Sequence, residues 1–132
     1  MQQGLVIVIV CIAGYIMAQL AKNLIWAVTG DWTPGKVFKS GGMPSSHAST
    51  VAALATSVLV LEGFSVAFGM SAVLLAIVAS DACGVRRHAG LTAAAVNKAH
   101  STTLETSLGH TWQQVLAGML MGVLAGLLTL LF

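Results

Sequence analysis

Charged residues divide this chain into long apolar tracts. Residues 1–21, 40–61, 63–80 and 106–132 contain no Asp, Glu, Lys or Arg, and each tract can hold a membrane-crossing helix of about 17–25 residues. No tract alternates apolar and polar positions as a half-buried strand would. Segments in hydrocarbon must satisfy their own backbone hydrogen bonds, so the expected spans are helices. The pattern predicts helix 1 over about Leu5 to Trp26, helix 2 over about Ser46 to Leu61, helix 3 over about Phe64 to Cys83 and helix 4 over about Thr111 to Phe132. Glu62-Gly63 leaves room only for a tight turn, which makes helices 2 and 3 a hairpin. The other connections, roughly 27–45 and 84–110, are long and polar, and with four spans both emerge on one side of the membrane.

Composition agrees with this picture. The chain has 132 residues, 57% of them hydrophobic and 8% charged, with a mean hydropathy of +0.90, whereas soluble domains carry about a quarter charged residues. The expected architecture is all-α: a polytopic membrane helical bundle forming a single integral membrane domain over residues 1–132. The first tract has no basic leader and no clear small-residue cleavage site, so it reads as a retained helix. All six basic residues, Lys22, Lys36, Lys39, Arg86, Arg87 and Lys98, fall in or beside the two long connections. By the positive-inside tendency these face the cytoplasm. Cys11 and Cys83 lack the paired spacing of a disulfide framework or zinc knuckle and read as packing residues.

Small residues recur at four-residue spacing: Gly118, Gly122 and Gly126 on helix 4, Ser49, Ala53 and Ser57 on helix 2, and Ala72, Ala76 and Ser80 on helix 3. Such stripes permit close helix approach inside a bundle, or else a homo-oligomer, here through the glycine stripe. The segment from Leu91 to Ser107 includes LTAAAVNKAH, whose alanines favour a surface helix, with a lid as the alternative.

Three polar clusters need explanation, because ionisable groups near hydrocarbon are costly. In KSGGMPSSHAST, Gly41 and Gly42 permit close approach or positive φ, Pro44 stiffens the entry, and Ser45 or Ser46 can cap helix 2. A helix start with free N–H groups is also an anion seat. In SDACGVRRHAG, Asp81 can hold a guanidinium of Arg86 or Arg87 in position for bidentate phosphate contact, although paired arginines also serve as headgroup anchors. In LGHTWQQVLAG, His110 and Gln114 are four residues apart and are expected on one helix face. A histidine alone at a helix start is commonly structural, but His47, Asp81 and His110 are all expected at one depth on the basic side. His88 and His100 read as loop residues.

The combination of GGMPSSH, DACGVRR and LGHTWQQVLAG resembles the divergent branch of the type 2 phosphatidic acid phosphatase superfamily, which is related to the vanadium haloperoxidases. The resemblance covers nearly the whole chain. It implies a metal-independent lipid phosphate phosphatase, with no cofactor, in an integral membrane location expected to be the bacterial inner membrane. On this resemblance His110 is the nucleophile that forms a phosphohistidine, and His47 protonates the leaving oxygen and later helps activate water. Pro44, Ser45, Ser46 and His47 match the family's middle motif with serine in place of glycine. Gln114 stands where the family places an acid, and Leu104 where it places an arginine, so Arg86 and Arg87 are the expected replacements. Lys22 or Lys39 would supply the first motif's cation, and Asp81, Ser45, Ser46 and Gly42 complete the expected site.

Such a site needs positioned cations, an in-line nucleophile and an acid for the leaving group. The implied substrate is a membrane lipid, either a lipid monophosphate or an isoprenoid diphosphate. Two rivals compete with this expectation. A metal-dependent hydrolase would use His47, Asp81, His110 and Glu105, but no H-E-x-x-H or comparable spacing is present. A non-enzymatic small transporter, channel subunit or lipid-binding scaffold finds its best support in Gln114. A nucleic-acid partner is not expected, because the loop cations are few and no stacking aromatics accompany them.

Overall fold

A computed structural model describes every residue except 1, 38 and 40. The described residues form five α-helices, α1 (Gln3–Thr29), α2 (Ser46–Glu62), α3 (Val66–Cys83), α4 (Val85–His100) and α5 (Trp112–Leu127), with 3-10 turns at Pro34–Lys36 and Leu128–Leu131. There is no strand among the described residues. The stretches Gln3–Thr29, Val66–His100 and Trp112–Leu131 are long and apolar enough to cross a membrane, and α2 is a shorter apolar helix. The chain is an all-helical membrane protein.

α2 sits in the middle of the bundle. α2 packs against α1, α3 and most extensively α5, and it buries Ala48, Ser49, Ala52, Ala53, Ala55, Ser57 and Val58. Residues this small bring backbones together. A Cβ on Gly118 would run into the Ser45 carbonyl, one on Gly122 into the Ser49 carbonyl, and one on Gly126 into the Thr56 side chain. On the other flank, Gly14 of α1 would place a Cβ 3.2 Å from that of Ala53, while the Ser49 hydroxyl donates to the Gly14 carbonyl at 2.8 Å. Thr129 Oγ1 donates to Ser57 Oγ at 2.9 Å across the far end. Close approach and interhelical hydrogen bonds are the cohesive forces available where lipid offers no hydrophobic drive. The Gly118/Gly122/Gly126 stripe is therefore packed against α2 of the same chain.

The hairpin between α2 and α3 forms as expected, with Gly63 at φ 65° and the Ser65 hydroxyl accepting from the Phe68 amide. Two other expectations need correction. The second long connection is largely helical: α4 follows α3 with only Gly84 between them, so His88 and His100 lie in a helix and not in a loop. Alanine-rich sequence favours that helix, and Asn97 anchors the return strand of chain, its amide donating to the Leu104 carbonyl and its carbonyl oxygen accepting from Thr102 Oγ1 and the Leu104 amide. The last helix begins at Trp112, capped by Thr111. His110 therefore precedes it and does not share a helix face with Gln114.

Gly122→Val should destabilise the fold by about 1–3 kcal/mol or more, as overpacking does, read as a lower melting temperature in detergent. Gly69→Ala, where a Cβ meets nothing within 4 Å, should leave melting unchanged or raise it. Equal effects from both would contradict the packing described.

Candidate functional site

One cavity of about 270 Å³ gathers residues from every part of the bundle's polar end. Tyr15 comes from α1, His47, Thr50 and Val51 from α2, Val78, Asp81 and Ala82 from α3, Arg86 from α4, and Gly109 and His110 from the chain leading into α5.

His110 is fixed from both sides. Its backbone N–H donates to the Ala82 carbonyl at the end of α3, 2.9 Å away. Gly109 before it has φ 77° and lies so close to the Arg87 backbone that no Cβ would fit. Thr111 after it forms a capping box with Gln114: Thr111 Oγ1 accepts from the Gln114 amide, and Gln114 Oε1 accepts from the Thr111 amide at 3.0 Å. The imidazole is 5% exposed and its Nδ1 is buried without a hydrogen-bond partner. Burial pushes its pKa down and the Lys22 ammonium pushes the same way, opposed by the polar groups of Gln114 and Gly42, with His47 adding a smaller downward contribution. His110 is thus held neutral, with a lone pair available at pH 7.

His47, the second residue of α2, is exposed at the cavity edge. Arg86 Nε donates to Asp81 Oδ2 at 2.6 Å, which orients the guanidinium while leaving its Nη side for another acceptor. Lys22 is fully buried. Its one hydrogen bond among the described residues runs from Nζ to the Lys39 carbonyl at 3.4 Å, and no described carboxylate pairs with it. A buried cation without a counter-ion is a costly arrangement that an anionic ligand would relieve.

The other expected site residues, like Lys22, lie outside the cavity lining. Ser45 is the N-cap of α2, fully buried, with Oγ accepting from the Ala48 amide and its own N–H donating to the Gln114 carbonyl. Ser46 is also buried, and its carbonyl accepts from Thr50 Oγ1 at 2.9 Å. Ser45 at the start of α2 thus faces α5, because Gly118 lets the two backbones meet there. Gly42, at φ 88°, packs on the Trp26 ring. Lys39 pairs with Glu105 at 3.7 Å on the surface, and Arg87 is exposed outside the cavity lining. Gln114 Oε1 accepts from the Thr111 amide in the capping box, and the Gln114 side chain also lies by His110, where it opposes the fall of the imidazole's pKa. Glu105 is likewise engaged by Ser107 and Lys39, and among the described residues no three His, Cys, Asp or Glu side chains converge as metal ligands. Tyr15 and Thr50 were not expected. The signal for the first was visible, since Tyr15 is the one tyrosine in the chain and sits inside an apolar tract.

A membrane-embedded helical bundle with two imidazoles and a guanidinium around one cavity fits the class expected from the sequence. The family described as "Divergent PAP2 family" matches residues 4–125, and the chain belongs to that family. It is also similar to a protein described as uncharacterized membrane protein YuiD of Bacillus subtilis (strain 168), 43% identical over 91 residues, covering 66% of this chain and 56% of that protein. The chain thus spans little more than half the length of that relative. No solved structure matches.

The His110 environment has a pH consequence. Its pKa is lowered in the folded state, so below the ordinary value of about 6.5 the unfolded chain binds a proton that the folded chain resists. Stability contributed by neutral His110 is present above that value and declines as pH falls below it. Titration of ring nitrogen shifts by NMR should give His110 a midpoint below 6.5, and Lys22→Met should raise it. An unchanged midpoint in Lys22→Met would contradict the placement of the lysine.

Proposed function

We propose that the chain is a phosphatase of membrane lipids, cleaving a lipid monophosphate or an isoprenoid diphosphate through a phosphohistidine. The observation that carries this reading is the single cavity lined by His47, His110 and Arg86, with the unpaired ammonium of Lys22 close enough to depress the His110 pKa. Neutral His110 attacks phosphorus in line, and an N–P bond forms as the P–O bond to the lipid breaks. Protonated His47 gives its proton to the departing oxygen. Neutral His47 then takes a proton from water as that water attacks phosphorus, releasing inorganic phosphate and restoring both imidazoles. Arg86, held by Asp81, and Lys22 stabilise the charge on the transferring group. Membership of the divergent family supports the reaction class, and the basic residues support a cytoplasmic placement of the cavity, in the inner membrane of a bacterium.

One observation favours a second reading, a lipid-phosphate-binding scaffold. No carboxylate backs His110: Nδ1 has no partner, and the residue in the expected acid position, Gln114, caps a helix. Such a backing acid stabilises an imidazolium in other histidine-dependent sites.

Purified protein in detergent should release phosphate from a lipid phosphate in the presence of chelator. His110→Ala should abolish turnover while the protein remains folded, and His47→Ala should lower turnover about 10²–10⁴-fold. Binding of lipid phosphate with no release by the wild type would favour the scaffold.

A further inference from the structure

α2 packs on both α1 and α3, but α1 and α3 do not pack on each other. The outward side of α2 is open between them. That side carries His47, Thr50, Val51 and Leu54, whose spacing places them on one helix face. Facing it from α1 are Tyr15, Ile12, Cys11 and Val8, again one face of a helix.

The polar cavity and an apolar groove of about 460 Å³ meet in this gap, because Tyr15 and Thr50 line both. Beyond those two residues the groove is walled by Cys11, Ile12 and Leu54 with Ile7 and Val8. The Thr50 hydroxyl donates to the Ser46 carbonyl, and Tyr15 brings a second hydroxyl to the junction. Leu54 lies about 10 Å from His47 along the helix at 1.5 Å per residue, which carries the groove away from the basic end.

We infer that this groove between α1 and α2 holds the apolar chain of a phosphate-bearing lipid, which enters sideways from the bilayer with Tyr15 at the bend between head and tail. The inference rests on the reading of the cavity as a phosphate site. A lipid with an anionic head is the occupant that suits both ends: its tail fills an apolar slot and its phosphate meets Arg86 and the imidazoles, with the buried Lys22 behind His110 adding positive charge. A second helix in the groove would leave those cations unmatched.

The test uses the full chain in phosphatidylcholine nanodiscs and a long-chain alkyl phosphonate, whose C–P bond resists hydrolysis, with a photoreactive diazirine in mid-chain. The matching alcohol without the phosphonate is the control. Labelling mapped by mass spectrometry should centre on Cys11, Ile12 and Leu54 and exceed the alcohol's at the same positions by roughly tenfold. Leu54→Trp and Cys11→Trp, filling the groove from facing walls, should each remove that excess. Both should keep turnover of a short soluble alkyl phosphate within about twofold. Equal labelling by phosphonate and alcohol, labelling centred on α3 or α5, or indifference to both substitutions would overturn the inference. Mapped labelling without phosphate release from any substrate would refute the hydrolase reading and leave the groove standing. Release from long-chain esters without groove labelling would do the reverse.

Discussion

The contact on which the rest of the molecule depends is the meeting of α2 and α5 without side chains between them. Gly118 and Gly122 lie against the carbonyls of Ser45 and Ser49, and the Ser45 amide donates to the Gln114 carbonyl at 3.0 Å. The first turns of the two helices are thereby locked side by side. His47 follows one start and His110 precedes the other, so the same contact that joins the helices brings both imidazoles to one cavity. In lipid, where burying apolar surface yields little, backbone proximity of this kind is the main source of specificity.

The charges around that cavity are unbalanced in a consistent direction. Asp81 serves Arg86, while Lys22 is buried with a single carbonyl partner among the described residues. His110 is pushed toward its neutral form. The remaining cations behave differently: Lys39 pairs with Glu105 at the surface, and Lys36 donates to the Asp31 carbonyl at 2.7 Å. Positive charge therefore accumulates where water is least able to screen it, and the proposal of an anionic ligand rests on that imbalance.

Much of the fold was legible because uncharged tracts and glycine spacing report directly on helix length and helix approach. The α2–α3 hairpin and the four apolar helices followed from Glu62-Gly63 and from the placement of ten charged residues. α4 was less visible, since an alanine-rich polar segment reads equally as a surface helix or a lid until Asn97 and Gly90 are seen fixing the chain that returns over it; a Cβ on Gly90 would lie 2.8 Å from the Leu108 carbonyl. The sequence identified the residues that converge, His47, Asp81, Arg86 and His110, because costly polar groups beside apolar tracts are conspicuous. Ser45, Ser46 and Gln114, also expected at the site, lie outside the cavity lining. A serine before a helix looks the same whether it caps that helix against a neighbour or presents donors to a ligand, and only the α5 backbone distinguishes these. The order of Arg86 and Arg87 along the chain could not tell which one Asp81 would hold.

A structure of the protein with orthovanadate bound tests the central claim most directly. The account predicts vanadium within bonding distance of a His110 ring nitrogen, its oxygens facing Arg86 and His47, and loss of that binding in Lys22→Met. Vanadate seated instead at the Gly42–Ser45 turn, or imidazoles too far apart to touch one oxyanion, would contradict it.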